Sequence, residues 1–157
     1  MIVPLLASAL LGVSPCLAPP LDAPVTDPFR DPGCSYCAGN RGLEYRPGAG
    51  SLVSAAGDGA VSFAGSVAGT LYVVIDQGGG YRVTYGRLAT ISVRRGDRVT
   101  TGEVIATTTE RFFFGLRLGE DYLDPAPSIG TVVSRPYLVP LDGSNRRPAP
   151  PPRLICR

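Results

Sequence analysis

Short alternations of apolar and polar residues, separated by glycine turns, run through the chain from Val25 onward. In Gly59–Gly65 the spacing puts Val61 and Phe63 on one side of a strand. Leu71–Ile75 is a continuous apolar run, the pattern of a strand covered on both faces. Gln77-Gly78-Gly79-Gly80 turns the chain, and Tyr81, Val83 and Tyr85 then alternate with Arg82 and Thr84, a hairpin signal. Arg98-Val99 and Glu103–Thr107 follow at short spacing. Arg111–Leu118 alternates again: Phe112, Phe114, Leu116 and Leu118 form one apolar face, and Arg111, Phe113, Gly115 and Arg117 form the other. No segment after residue 18 has a helical period. Many short strands with turns between them predict an all-β fold, an antiparallel sandwich or barrel-sandwich hybrid. Ser134–Leu141 reads as an edge strand, because Pro136 and Pro140 bar it from a sheet interior. Pro148–Pro152 reads as an extended tail.

The 157 residues suit one domain with a modest core. The first eighteen are almost wholly apolar, too short a run for a membrane span, and end in Cys16-Leu17-Ala18 before two prolines. This reads as a secretory signal peptide over 1–18, with the folded domain over 19–126 and an edge strand plus Pro-rich tail over 127–157. Val13-Ser14-Pro15-Cys16 loosely matches a lipoprotein box, so lipidation at Cys16 is an open alternative. Export would favour disulfides. Cys34 and Cys37 lie in a loop rich in Gly, Ser and Pro, where a short-loop disulfide is the preferred reading. Cys156 provides a second possible partner for either, while a redox or zinc role for Cys-x-x-Cys stays open.

Composition excludes several chemistries. A net charge of +2 gives no reason to invoke nucleic acid. All basic residues are arginine, so no lysine can form a Schiff base or carry biotin or lipoate. There is no histidine, so the usual base for serine catalysis is missing. No phosphate-loop sequence occurs.

Four stretches resemble the lysostaphin-type (LytM-like) zinc endopeptidases that cut peptidoglycan crosslinks. Arg41-Gly42-Leu43-Glu44, followed by Val53–Gly59, is similar to the family's first metal strand and the turn after it. Val73–Asp76 through Gly80–Tyr85 is similar to its central hairpin. Val93–Val99 with Gly102–Ala106 resembles its Gly-Asp-x-Val turn, and Phe114–Arg117 with Tyr122–Pro125 resembles its closing strand. In that family two histidines and an aspartate hold zinc, a further histidine two residues before the last ligand assists the attacking water, and another histidine lies in the active site. By position the ligands become Asn40, Glu44 and Phe113, the assisting position becomes Arg111, and the other active-site position becomes Arg87. Of the three ligand positions, only Glu44 keeps metal-binding chemistry suited to zinc.

The resemblance therefore implies a degenerate member with no catalytic residues, no metal and no cofactor. Its groove would present Asn40, Glu44, Tyr45, Arg87, Arg111, Phe113 and Arg117. Relatives of this kind bind murein or activate cell-wall hydrolases, so the implied partners are peptidoglycan or such a hydrolase. The expected protein is an exported monomer of the cell envelope. Two alternatives are carried: an enzyme with a non-standard metal set drawn from Asn40, Glu44, Cys34 and Cys37, and a carrier-like or adaptor β-module.

Overall fold

In a computed structural model of the chain, residues 15–34, 36–134, 148 and 150–156 are described. Eleven strands are formed among them: β1 Val25–Asp27, β2 Leu43–Tyr45, β3 Leu52–Ser54, β4 Gly59–Val67, β5 Thr70–Gly78, β6 Tyr81–Ile91, β7 Arg98–Val99, β8 Val104–Leu118, β9 Asp121–Leu123, β10 Thr131–Val133 and β11 Arg153–Ile155. A single 3-10 turn covers Ala126–Ser128. The nine-stranded sheet runs β1-β2-β8-β6-β5-β4-β7, with β3 and β9 also paired to β8. Every strand pair in it is antiparallel, as the turn-rich alternation predicts.

β8 is the axis of the molecule. It joins the two segments read separately in the sequence into one long strand that contacts β2, β3, β6 and β9. Its register sorts neighbouring residues into two rows. Leu43, Phe114, Tyr85 and Val73 lie side by side across β2, β8, β6 and β5 and are all buried. One residue along, Glu44, Phe113, Gly86 and Tyr72 make a second row on the opposite face. The buried row belongs to a core that also takes in Phe112, Leu116, Val61, Ile75, Val83 and Ile105. Its aromatics meet edge-on or tilted: Tyr85 and Phe114 at 5.4 Å, Tyr45 and Phe112 at 5.6 Å between ring centroids. The buried Tyr85 hydroxyl accepts a 2.7 Å hydrogen bond from the Ala56 amide, which gives the phenol a polar partner inside the core.

Three local expectations are corrected. Val61 and Phe63 do not share a face. A β-bulge between them pairs Val61 with Ile75 but Phe63 with Val74, so Val61 is buried and Phe63 is exposed. The run Leu71–Ile75 is covered on one face: Val73 and Ile75 are fully buried, whereas Leu71, Tyr72 and Val74 are half-buried. The C-terminal stretch is more than a tail, since Arg153–Ile155 pairs with Thr131–Val133 as a second, two-stranded sheet. The edge strand expected within Ser134–Leu141 falls, after Ser134, outside the described residues.

Most of the leader reading also falls outside them, but Pro15–Ala18 does not. Leu17 and Ala18 are buried, Leu17 bridges Ile129, and the Ala18 amide donates to the Ala56 carbonyl at 2.7 Å. Cys16 is disulfide-bonded to Cys156, and Cys34 to Cys37. Cys156 thus reaches back past the Cys34 loop to the N-terminal segment.

Candidate functional site

The outer row of the sheet carries the polar chemistry. Glu44 sits on β2 between two buried neighbours, Leu43 and Tyr45, so strand alternation turns its side chain to the outer face. Arg87 lies on β6 where the register with β8 breaks: Gly86 pairs with Phe113, but Leu88 pairs with Thr108. Arg87 absorbs this mismatch with φ of 60°, a left-handed conformation that costs a non-glycine residue of order 1–3 kcal/mol. Thr109 supports the bulge: its Oγ1 lies 3.0 Å from the Arg87 carbonyl and 2.8 Å from the Arg111 carbonyl, either of which can accept its proton.

The strained backbone serves one contact. Arg87 Nη1 and Nη2 donate to the two Glu44 carboxylate oxygens at 2.8 and 2.9 Å, a bidentate fork. Glu44 is 19% exposed and Arg87 32%, so the pair is largely shielded from water. A second guanidinium, Arg111, stands 4.0 Å from Glu44 and is 62% exposed. Arg87 makes the closer contact with Glu44, and Arg111 is the more exposed of the two guanidiniums. Arg111 and Arg46 line two adjoining clefts, of about 300 Å³ beside Glu44 and Asp27 and about 540 Å³ beside Glu110 and Gly48.

Phe113 forms the floor next to this pair. Its ring lies so close to Gly42 and Gly115 that a Cβ added at either would stand 2.7 or 3.0 Å from ring carbons. The ring therefore occupies a seat made by missing side chains. Gly86 performs the same service for Tyr72, whose ring would meet a Cβ there at 2.5 Å.

Glu44, Arg87, Arg111 and Phe113 are brought together. Asn40 is not part of their set: it is buried, and its Nδ2 donates to the carbonyls of Asp27 and Pro28 at 3.3 and 3.0 Å. Tyr45 turns inward against Phe112 and offers the groove little apolar surface. Arg117 shares the outer face but is engaged at its far end, donating to Glu120 at 2.6 Å and stacking on Tyr122 at 5.0 Å. Arg41 stacks on the same Tyr122 ring at 5.4 Å. Tyr72, Arg46 and Tyr122 were not legible as site residues. Tyr72 hid inside an apolar run; the alternation of Val73 and Ile75 with Tyr72 and Val74 was the available signal.

The donor set does not fit zinc. Both Glu44 oxygens face arginine nitrogens, the Asn40 amide points a nitrogen at backbone carbonyls, and Phe113 has no donor atom. Among the described residues no group of three or more His, Cys, Asp or Glu converges, and Cys34 and Cys37 are bonded to each other.

An antiparallel sheet with this groove and this order of strands is a peptidase-like β-fold. The sequence profile of Peptidase family M23 matches residues 38–123, and the chain belongs to that family. Among solved structures, Csd3 of Helicobacter pylori is similar at 25% identity and a TM-score of 0.67, over 75% of this chain and 34% of that one. A putative M23 peptidase from Pseudomonas aeruginosa is similar at 26% identity and a TM-score of 0.61, over 71% and 48%. A chain of the SpoIIIAH–SpoIIQ complex shares the fold at 19% identity and a TM-score of 0.63, over 70% and 97%. The chain thus spans about a third of the Csd3 chain and about half of the Pseudomonas one. No curated protein matches it.

Proposed function

We propose that this chain is a non-catalytic M23 domain of the cell envelope, whose groove binds its target instead of cutting it. One observation carries the reading: the single retained acidic ligand position, Glu44, is held by both nitrogens of Arg87. A carboxylate so neutralised is withdrawn from metal chemistry. What remains is an aromatic floor, Phe113 and Tyr72, beside the exposed guanidiniums of Arg111 and Arg46. That combination suits an extended peptide with free carboxylates, as in the peptide stems of peptidoglycan. Two disulfides fit an oxidising compartment, and no helix among the described residues is long and apolar enough to cross a membrane. If a leader is removed on export, the cut belongs upstream of Cys16, because Cys16, Leu17 and Ala18 are integrated in the fold.

Sedimentation with purified murein tests the reading. The protein is expected to be retained above a control of equal charge, and Arg111→Ala is expected to weaken retention several-fold. Absence of retention would count against the wall ligand and favour a protein partner such as a cell-wall hydrolase. That second reading draws support from the likeness to a chain of a two-protein complex. Zinc titration is expected to show no stoichiometric binding; tight binding lost in Glu44→Ala would overturn the non-catalytic reading.

A further inference from the structure

Outside the groove, the Cys34–Cys37 bond is placed for exchange rather than for holding the fold. Both cysteines are exposed, as is Tyr36 between them. Their loop is already closed at its neck, where Arg30 and Asn40 exchange two backbone hydrogen bonds of 2.9 Å and the Asn40 side chain ties down Asp27 and Pro28. The disulfide therefore adds a second closure to a loop that has one. It links residues only three apart, so it removes little freedom from the unfolded chain. Cys16–Cys156 differs in span and in setting, although Cys16 is itself exposed. The bond spans 140 residues, Cys156 is half-buried against Gly130, and the next residue after Cys16, Leu17, is fully buried.

Cys34 also lines a cleft of about 380 Å³ with Asp31, Pro32, Glu120, Asp121 and Tyr122, so the residue is open to an incoming thiol. Above the pair, Arg41 Nη2 lies 3.3 Å from the Cys37 carbonyl and 3.5 Å from that of Cys34. A fixed positive charge beside two cysteines favours the thiolate form that exchange requires. Arg41 further stacks on Tyr122, the ring shared with Arg117 at the end of the groove.

We infer that Cys34–Cys37 is a redox-active disulfide that exchanges with a dithiol protein or small thiol. A thiolate of the dithiol attacks Cys34 Sγ through the cleft, the Cys34–Cys37 bond breaks, and Cys37 leaves as a thiolate. The second thiol of the donor then attacks the mixed disulfide and releases Cys34. Two electrons and two protons pass to the cysteine pair, and the donor becomes a disulfide.

The test is native-state reduction of the full chain in glutathione buffers of graded ratio, with alkylation and peptide mass analysis. Cys34 and Cys37 are expected to label about tenfold faster than Cys16 and Cys156, or more, with the far-ultraviolet dichroism unchanged. In Cys37→Ser, the Cys34 thiol is expected to form a mixed disulfide with glutathione, and adding Arg41→Gln is expected to slow that reaction at neutral pH. Joint opening of both disulfides, or labelling of Cys34 only upon unfolding, overturns the inference. Should Cys37→Ser fail to fold, the labelling order in the unaltered chain decides alone.

Discussion

The two faces of β8 are built from alternate residues of one strand, yet they behave as different materials. Inward, Phe112, Phe114 and Leu116 are almost completely buried, and the two phenylalanine rings pack against Tyr45, Tyr85 and each other. Outward, Arg111, Phe113 and Arg117 sit among charges, glycines and clefts. The inner face is tolerant of register only as a whole, since a one-residue slip would bury Arg111 and Arg117. The outer face carries a strained Arg87, a fork to Glu44 and an aromatic ring on glycines, none of which a core requires. Stability should therefore reside inside and specificity outside.

The largest effect that tests this division is truncation of neighbouring phenylalanines. Phe114→Ala is expected to lower unfolding free energy by about 3–5 kcal/mol, through lost burial and a cavity that Leu43 and Tyr85 cannot close. Phe113→Ala, from a half-buried seat, is expected to cost only about 1–2 kcal/mol while weakening ligand retention. Urea denaturation of both variants measures the difference. Equal losses would mean that the outer face is a second core.

Alkaline pH should strike the inner face next. Burial pushes the Tyr45 phenol up to about 12 and Tyr85 higher still, the latter despite the Ala56 amide at its oxygen. In the unfolded chain both lose their protons near pH ~10. The fold keeps protons that the unfolded chain has released, so stability is fully present below about pH 10 and falls as pH rises toward 12. Tyr45→Phe is expected to flatten that decline by one proton. Tyr85→Phe is expected to cost about 1–3 kcal/mol even at neutral pH, because it orphans the buried Ala56 amide. Melting temperatures across pH 8 to about 11 check both.

The inner face was largely legible from the sequence, and the outer face only in part. Alternation in Arg111–Leu118 sorts Phe112, Phe114 and Leu116 to the core because burial depends on a period of two, which is local information. Glu44, Arg87, Arg111 and Phe113 could be placed together only through resemblance to a known family, since they come from three strands. Their actual pairing depended on the bulge at Arg87, and no local pattern encodes a left-handed arginine. The same limitation explains Phe63: a bulge moved it across the sheet, and periodicity has no means of counting an extra residue. The Cys16–Cys156 bond escaped because an apolar N-terminus reads as a leader, whereas Leu17 and Ala18 pack against Ile129 and Ala56.

Within the outer face, the Glu44–Arg87 fork should matter more than the neighbouring Arg111. A double-mutant cycle of Glu44→Gln and Arg87→Ala is expected to give a coupling of about 1–2 kcal/mol, since the pair is bidentate and mostly shielded. Arg87→Gly tests the strain separately: it loses the fork but relieves φ of 60°, so it should destabilise less than Arg87→Ala.

Arg111→Ala should be the mildest change to the fold and the most informative about the site. Its guanidinium is 62% exposed and 4.0 Å from an acid already claimed by Arg87, so its removal is expected to shift stability by less than about 0.5 kcal/mol. A residue so dispensable to the fold, yet held beside two clefts, has its charge available to a ligand. If murein retention falls several-fold in Arg111→Ala while its denaturation curve overlays that of the unaltered chain, the two faces are separable in function as well as in packing. If stability falls together with retention, Arg111 is part of the Glu44 network, and the outer face is a structural ion-pair cluster in which the ring of Phe113 fills space.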